Sequence, residues 1–232
     1  MTSILAIETS TPACSVALLV GDTRYCRYSE EPRSHTRLIM GMIHEVLNEA
    51  GITVDSLDAL AVTVGPGSFT GLRIGFSTVQ GLAFAADIPV IPVSTLQVMA
   101  QTYRRSADID SSETVISLLD ARMGEFNCGA YQLDSSGCFT AIIEDQLLTK
   151  DNALALCESL NPSVIVGDFN ALFNGSTASG KLLKELYPDA IDLLDIAIAN
   201  FASGEAVPVG QVDLVYLRGS DAWKKHTPLR AV

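Results

Sequence analysis

The stretch VGPGSFTGLRIG, residues 64–75, follows an apolar run and leads into a pattern typical of a helix. Its four glycines, placed between a strand and a helix, raise the question whether the loop holds a phosphate group. A P-loop needs the pattern GxxxxGK followed by Ser or Thr, in which the lysine meets the phosphates. This stretch contains Arg73 but no lysine. The sequence therefore favours a packing role for the glycines, with phosphate binding as the less favoured alternative.

The spacing of three of these glycines indicates a helical face without side chains. Gly67, Gly71 and Gly75 recur every four residues, and the small Thr78 follows; this spacing lines one helical face, which continues along the helix predicted over residues 70–86. Glycine in a helix interior costs about 1 kcal/mol relative to alanine, which suggests a packing purpose. Because small residues let helices approach closely, we expect a helix of a partner protein to pack on this face.

The rest of the chain predicts an alternation of strands and helices. In the first half, strands are expected over residues 4–8, 15–20, 23–29, 60–64 and 89–93, with helices over 34–50, 70–86 and from Ser94 onward. In the second half, strands are expected over 114–120, 125–133 and 163–167, with helices from about Lys150 and near 192–203. ILAIET resembles VISLLDA and AVTVG resembles SVIVG. We therefore predict two similar α/β subdomains packed side by side.

Composition and charge bound the class of protein. The chain has 232 residues, of which 48% are hydrophobic and 18% charged, so we expect a folded globular protein. A net charge of -12 argues against direct, unassisted binding of nucleic acid. The five cysteines contain no CxxC pair, which argues against a disulfide framework and a thiolate zinc site. The N-terminus does not read as a signal peptide, and Pro89 and Pro92 interrupt the most apolar window. We expect a cytoplasmic protein without a membrane helix.

Five motifs, spread from one end of the chain to the other, resemble the bacterial TsaB (YeaZ) family. They are ILAIETSTPACSVAL (4–18), RSHTRLIMGMI (33–43), GPGSFTGLRIGFSTVQGLAFA (65–85), DARMGEF (120–126) and VYLRGSDAWKK (215–225). The resemblance implies an actin-like ATPase fold, which is ribonuclease-H-like, with two related α/β subdomains. The chain departs from the family pattern at Glu8, where Asp is usual, and at Gly41, where a proline is common.

The same resemblance implies a function in tRNA modification. The family forms a heterodimer with its paralogue TsaD, which carries the catalytic site, and a ternary complex with the ATPase TsaE. The reaction transfers a threonylcarbamoyl group to adenosine 37 of tRNAs that read codons beginning with A. This chain would then be a non-catalytic scaffold with no catalytic residue, cofactor or metal ion of its own. The alternatives are an autonomous nucleotide-binding ATPase and a homodimer with a separate task.

Three segments are expected on this basis. Residues 1–104 form a first ribonuclease-H-like subdomain with the partner-binding helices, and residues 105–207 form the second. Residues 208–232 form a tail that packs back on the first subdomain.

Two acids are candidates for a nucleotide site, because each ends the leading strand of its half. They are Glu8 and Asp120, and in actin-like ATPases acids at such places orient metal-bound phosphates. The alternative is that each acid only caps the turn that follows it. The extra methylene of Glu8 fits a tight magnesium site poorly, so we favour a vestigial cleft over turnover.

The histidines do not indicate a metal site or a peptidase. His35, His44 and His226 are the only three, and none forms the HxxxH pair that places two imidazoles on one helical face. We expect His35 to be a polar residue at the start of a helix. No Ser-His-Asp or Cys-His arrangement stands out either.

The expected partner interface lies on the helices predicted over residues 35–50 and 70–86. The second helix is apolar nearly all round, so it must be covered on more than one face. The interface residues expected are Leu38, Ile39, Met42, Ile43, Val46, Gly67, Gly71, Arg73, Gly75, Thr78, Val79 and Leu82.

Overall fold

The computed structural model describes residues 2–107, 112–173 and 180–218, and within them two sheets alternate with helices. The first half contains β1 (Ser3–Glu8), β2 (Cys14–Val20), β3 (Thr23–Ser29), α1 (His35–Ala50), β4 (Ala59–Gly65), α2 (Phe69–Ala86), β5 (Val90–Ser94) and α3 (Thr95–Ser106). The second half contains β6 (Thr114–Arg122), β7 (Glu125–Leu133), β8 (Phe139–Thr149), α4 (Lys150–Leu160), β9 (Val164–Gly167), β10 (Lys181–Lys184) and α5 (Ala190–Ala202). No helix in these described segments is long and apolar enough to cross a membrane.

The first sheet is built around β1, whose six residues are all buried. Strand β1 pairs antiparallel with β2 and parallel with β4, and the order across the sheet is β3-β2-β1-β4-β5. Strands β1 and β4 are near-continuous apolar runs, as expected where helices cover both faces of a sheet.

The second sheet repeats this arrangement. Its order is β8-β7-β6-β9-β10, with β6 paired antiparallel with β7 and parallel with β9. The prediction of two related α/β subdomains in an actin-like, ribonuclease-H-like fold is thereby confirmed. Strands β8 and β10 were not predicted from the sequence, although β8 is an eleven-residue strand.

Helices cover both faces of each sheet and form a layer between the sheets. Helices α1 and α2 share one core with the first sheet, and α4 shares another with the second. Helix α5 packs through Ala190, Leu193 and Ala197 on the opposite face of the first sheet. Helix α3 packs through Leu96 and Met99 on the inner face of the second sheet.

The helices between the sheets cross the expected segment boundaries. The bounds of these segments, 1–104, 105–207 and 208–232, stay a prediction. Helix α3 lies almost wholly in the first segment but packs mainly on the second sheet, and α5 lies in the second segment but packs on the first sheet. Of the tail, residues 208–218 are described, and Val212 and Leu214 belong to the core under the first sheet.

Candidate functional site

The glycine-rich stretch packs inside the chain, against the turn that joins β1 to β2. A Cβ added to Gly71 would lie 2.0 Å from the carbonyl oxygen of Thr9, and one on Gly75 would lie 2.3 Å from the hydroxyl oxygen of Thr9. A Cβ on Gly67 would lie 2.5 Å from the carbonyl oxygen of Ser10. The prediction that this glycine face receives a partner's helix was therefore wrong. These positions require glycine because a turn of the same subdomain lies directly against the backbone of the helix and leaves no room for a side chain.

Hydrogen bonds fix the same stretch on that turn. The Thr9 hydroxyl donates to the carbonyl oxygen of Gly71 at 2.8 Å, and the Ser68 backbone N–H donates to the carbonyl oxygen of Ser10 at 2.7 Å. Ser68 also caps α2, since its hydroxyl oxygen accepts from the N–H of Gly71 at 3.3 Å. Two backbone N–H groups at the start of α2, those of Ser68 and Gly71, are thus bonded within the chain and not offered to a phosphate.

Most of the apolar residues expected at the interface are also internal. The first sheet already covers five of the predicted side chains, so they present little or no surface to a partner, which corrects that part of the expectation. Arg73 is exposed, and the predicted positions Leu38, Thr78 and Leu82 are half-buried. The five covered side chains are Ile39, Met42, Ile43, Val46 and Val79.

Large apolar side chains do stand on the outer faces of these helices, at positions that the sequence reasoning missed. Met40 is 54% exposed, Phe69 is 55% exposed and Phe84 is 87% exposed. Phe69, Arg73 and Phe84 are four and eleven residues apart, so they lie on one side of α2, and this outward stripe is the signal from which they could have been found. Between α1 and α2 lies a groove of about 560 Å³, lined by Thr36, Ile39, Met40, Phe69, Thr70, Arg73, Ile74, Ser77 and Thr78.

An arginine stacked on aromatic rings forms one end of this face. The guanidinium carbon of Arg73 lies 3.5 Å from the centroid of the Phe69 ring and 5.9 Å from that of Tyr216. The two rings are tilted by 42° with centroids 5.4 Å apart. Such stacking is worth about 0.5–1 kcal/mol at an exposed site, and it orders three side chains that would otherwise move freely. We call Met40, Phe69, Arg73, Phe84 and Tyr216 the outer helix surface.

Glu8 is sealed inside the first subdomain. Its side chain is 0% exposed, and its Oε1 accepts from both the backbone N–H and the hydroxyl of Ser10 at 2.5 Å. Burial raises the pKa of Glu8 from 4.5 to about 7, because desolvation disfavours the carboxylate more than the Ser10 hydrogen bonds favour it. The structure thus supports the alternative that Glu8 caps its own turn.

Asp120 occupies the matching position in the second sheet and makes the matching bond. Its Oδ1 accepts from the backbone N–H of Arg122 at 2.7 Å, two residues ahead, as Glu8 does from Ser10. Both acids hold the turn of the hairpin that follows their strand.

Comparison with known proteins covers nearly the whole chain. The chain is 39% identical over 227 residues to the tRNA threonylcarbamoyladenosine biosynthesis protein TsaB of Escherichia coli, spanning 96% of this chain and 97% of that one. The TsaB of Haemophilus influenzae is 34% identical over 96% of both chains. The chain belongs to the TsaB family. The model of the TsaD family, tRNA N6-adenosine threonylcarbamoyltransferase, also matches residues 29–165, so the chain belongs to the wider family that TsaD represents.

A solved structure from Pseudomonas aeruginosa shares the fold of this TsaB-family chain. It has a TM-score of 0.86 and 36% identity, and it covers 94% of this chain and 100% of its own. That protein is described as similar to the peptidase YeaZ. Within residues 2–107, 112–173 and 180–218 of this chain, no group of three or more His, Cys, Asp or Glu side chains is placed to hold a metal ion.

The described histidines of this TsaB-family chain have structural contacts. His35, the first residue of α1, places its Nε2 3.0 Å from the carbonyl oxygens of both Thr11 and Ala13, which ties the helix start to the β1–β2 turn. The Nε2 of His44 accepts from the side-chain amide of Asn48 at 2.8 Å. His226 lies outside the described residues.

Proposed function

We propose that this chain is a non-catalytic partner of TsaD in the formation of threonylcarbamoyladenosine at adenosine 37 of tRNAs that read codons beginning with A. The outer helix surface is the observation that carries the proposal. It holds three large apolar side chains in solvent, on a chain whose relatives are named for this biosynthesis. Exposed apolar patches of this kind mark interaction sites on soluble proteins.

The kinship with TsaD supports that choice of partner. The TsaD family model matches residues 29–165, a range that includes α1 and α2. Two related chains can therefore present equivalent helices to each other, as in a near-symmetric dimer. TsaE would join this pair as a third component. The same surface would serve a homodimer when the chain is alone.

The interior of the first subdomain supports the non-catalytic part of the proposal. Glu8, the acid that would orient a metal-bound phosphate, has no exposed surface and is held by Ser10. The glycine stretch and the β1–β2 turn satisfy each other through the Thr9–Gly71 and Ser68–Ser10 bonds. A net charge of -12 favours an arrangement in which the partner supplies most contacts to tRNA.

The test is reconstitution with and without this chain. We expect the chain to copurify with TsaD, and we expect tRNA modification by TsaD, TsaE and the adenylate-forming enzyme to fall to background when the chain is omitted. Full modification without the chain would contradict the proposal. ATP hydrolysis by the purified chain alone, if it disappears in Glu8→Ala, would favour the rival ATPase. Analytical ultracentrifugation with and without TsaD distinguishes the heterodimer from a homodimer.

A further inference from the structure

Residues 212–218, which we call the strap, lie along the first subdomain. Val212 is buried in the core formed by α1, α2 and the first sheet, and Leu214 packs against the same core. The backbone N–H of Val215 donates to the carbonyl oxygen of Val64 at 2.8 Å, at the end of β4. The strap is therefore anchored by burial and by a backbone hydrogen bond before it reaches Tyr216.

The far end of the strap bonds the second subdomain. The Nη2 of Arg218 donates to Glu125 Oε2 at 2.5 Å and to the carbonyl oxygen of Arg122 at 3.0 Å, while its Nη1 lies 3.1 Å from the sulfur of Met123. All three acceptors lie at the hairpin end of β6 and β7, within residues 122–125. The Arg218–Glu125 ion pair is only a quarter to a third exposed, so solvent screens it less than a fully exposed pair.

The turn that Arg218 holds has an unfavourable backbone. Arg122 and Met123 both adopt left-handed conformations, with φ of 69° and 58°, and Gly124 follows with φ of 76°. Left-handed conformations are disfavoured for residues other than glycine and persist where neighbouring groups fix them. Here the fixing groups are the Asp120 carboxylate, on the N–H of Arg122, and the Arg218 guanidinium, on its carbonyl oxygen.

The other attachment between the subdomains is the packing of α3 on the second sheet, which includes a bond from Ser94 to Asp145 of β8. The Ser94 hydroxyl caps α3 and donates to Asp145 Oδ2 at 2.5 Å, and the Tyr131 hydroxyl donates to the other oxygen of Asp145. Gln146, next to Asp145, pairs with Cys128 of β7, so this bond lies three to four residues, or roughly 10–13 Å, along the sheet from Glu125. The α3 layer and the Arg218 bonds hold the subdomains at different places, so together they restrict rotation more than the α3 layer alone.

We propose that the strap is a clamp that helps to hold the two subdomains in one relative orientation, with Arg218 as the residue that joins the strap to the second subdomain. Because Tyr216 of the strap stacks on Phe69, the clamp also sets where the second subdomain lies relative to the outer helix surface. This inference does not depend on the identity of the partner, and it is tested on the full chain alone.

The test measures orientation and local opening separately. Cys26 is exposed whereas the other four cysteines are buried, so a spin label on Cys26 and a second on Glu158→Cys in α4 report the distance between the subdomains. We expect Arg218→Ala to broaden or shift this distance distribution. We also expect amide exchange at residues 123–125 to become about tenfold faster, because the turn loses the bonds that hold it closed. Glu125→Gln should reproduce part of both changes, and the double variant should add little to Arg218→Ala.

Arg37→Ala is the matched control, since Arg37 pairs with Glu31 within the first subdomain. It should leave both readings unchanged. A distance distribution that stays the same in Arg218→Ala would overturn the proposal, even if the turn exchanges faster, because the bonds would then be local. Equal loss of protection across both sheets in Arg218→Ala and in Glu125→Gln would also overturn it, since the contact would be one of general stability.

Discussion

The carbonyl oxygen of Thr9 lies 2.0 Å from the point where a Cβ on Gly71 would stand. Real atoms do not approach so closely, so any side chain at this position must displace the β1–β2 turn or the start of α2. The relationship explains why a helix keeps a residue that by propensity alone disfavours it.

We expect Gly71→Ala to destabilise the chain by about 2 kcal/mol or more, since overpacking against backbone outweighs the gain in helix propensity. The midpoint of urea unfolding measures this. Gly81→Ala, in the same helix and with nothing within 4 Å of its added Cβ, is the control and should stabilise slightly. Equal effects of the two substitutions would contradict the packing argument.

Phe69→Ala should weaken association with TsaD while leaving the chain folded. The Phe69 side chain is 55% exposed and Arg73 stacks on its ring, so its removal should change the free energy of unfolding little. The substitution removes a large aromatic contact from the outer helix surface. We expect a loss of at least about tenfold in affinity, measured by titration calorimetry. Ile142→Ala, at a residue 42% exposed in the second subdomain, is the control. If both variants bind TsaD as the wild type does, the surface lies elsewhere.

The buried Glu8 should make stability depend on pH. Its pKa is raised from 4.5 to about 7 in the folded chain, so the folded state binds the proton more tightly than the unfolded state. The free energy of unfolding should therefore fall as the pH rises from 4.5 towards 7, by about 3 kcal/mol for this group. Glu8→Gln cannot titrate, so its stability relative to the wild type should increase over the same range. A difference between the two that is constant with pH would disprove the assignment. Burial also raises the pKa of Asp192 to about 7, so Asp192 titrates in the same range, and Asp192→Asn should remove that second contribution while it retains the one from Glu8.

Ser94→Ala should cost about 1–2 kcal/mol, because Ser94 accepts from the N–H groups of Leu96 and Gln97 and also donates to Asp145. The comparison is Ser34→Ala, since Ser34 precedes α1 without a side-chain capping bond and loses only the bond from its hydroxyl to the carbonyl oxygen of Glu31. Guanidinium denaturation of both variants gives the difference. If Ser94→Ala lowers the free energy of unfolding by less than Ser34→Ala does, the bond from Ser94 to Asp145 does not stabilise the fold.

The order of most strands and helices followed from the apolar pattern of the sequence, because β1 and β4 are continuous apolar runs and α1 has an apolar stripe at helical spacing. Strand β8 was missed because its burial does not alternate regularly and its pairing with β7 is irregular near Asp145, where an acid turns inward to bond Ser94 and Tyr131. Strand β10 is only four residues long, which is too short for a period to show.

The candidate surface was only partly predictable, for a physical reason. Helix α2 is apolar on several sides, so the pattern alone cannot tell which apolar residues meet the sheet and which meet solvent. Val79 turned out to be buried and Phe84 exposed. The glycine face had two possible neighbours, a partner or the β1–β2 turn, and only the contacts with Thr9 and Ser10 distinguish them.

The position of α5 has a consequence for how the chain is made. One face of the first sheet is covered by residues 190–202, although the strands of that sheet lie within residues 3–94. The ribosome therefore synthesises these strands long before it synthesises α5. During that interval α5 cannot bury the apolar side chains of Ile4, Ala6 and Ile91. The first sheet is synthesised before the helix that completes its core, so a chaperone that binds apolar strands can act on it during that interval.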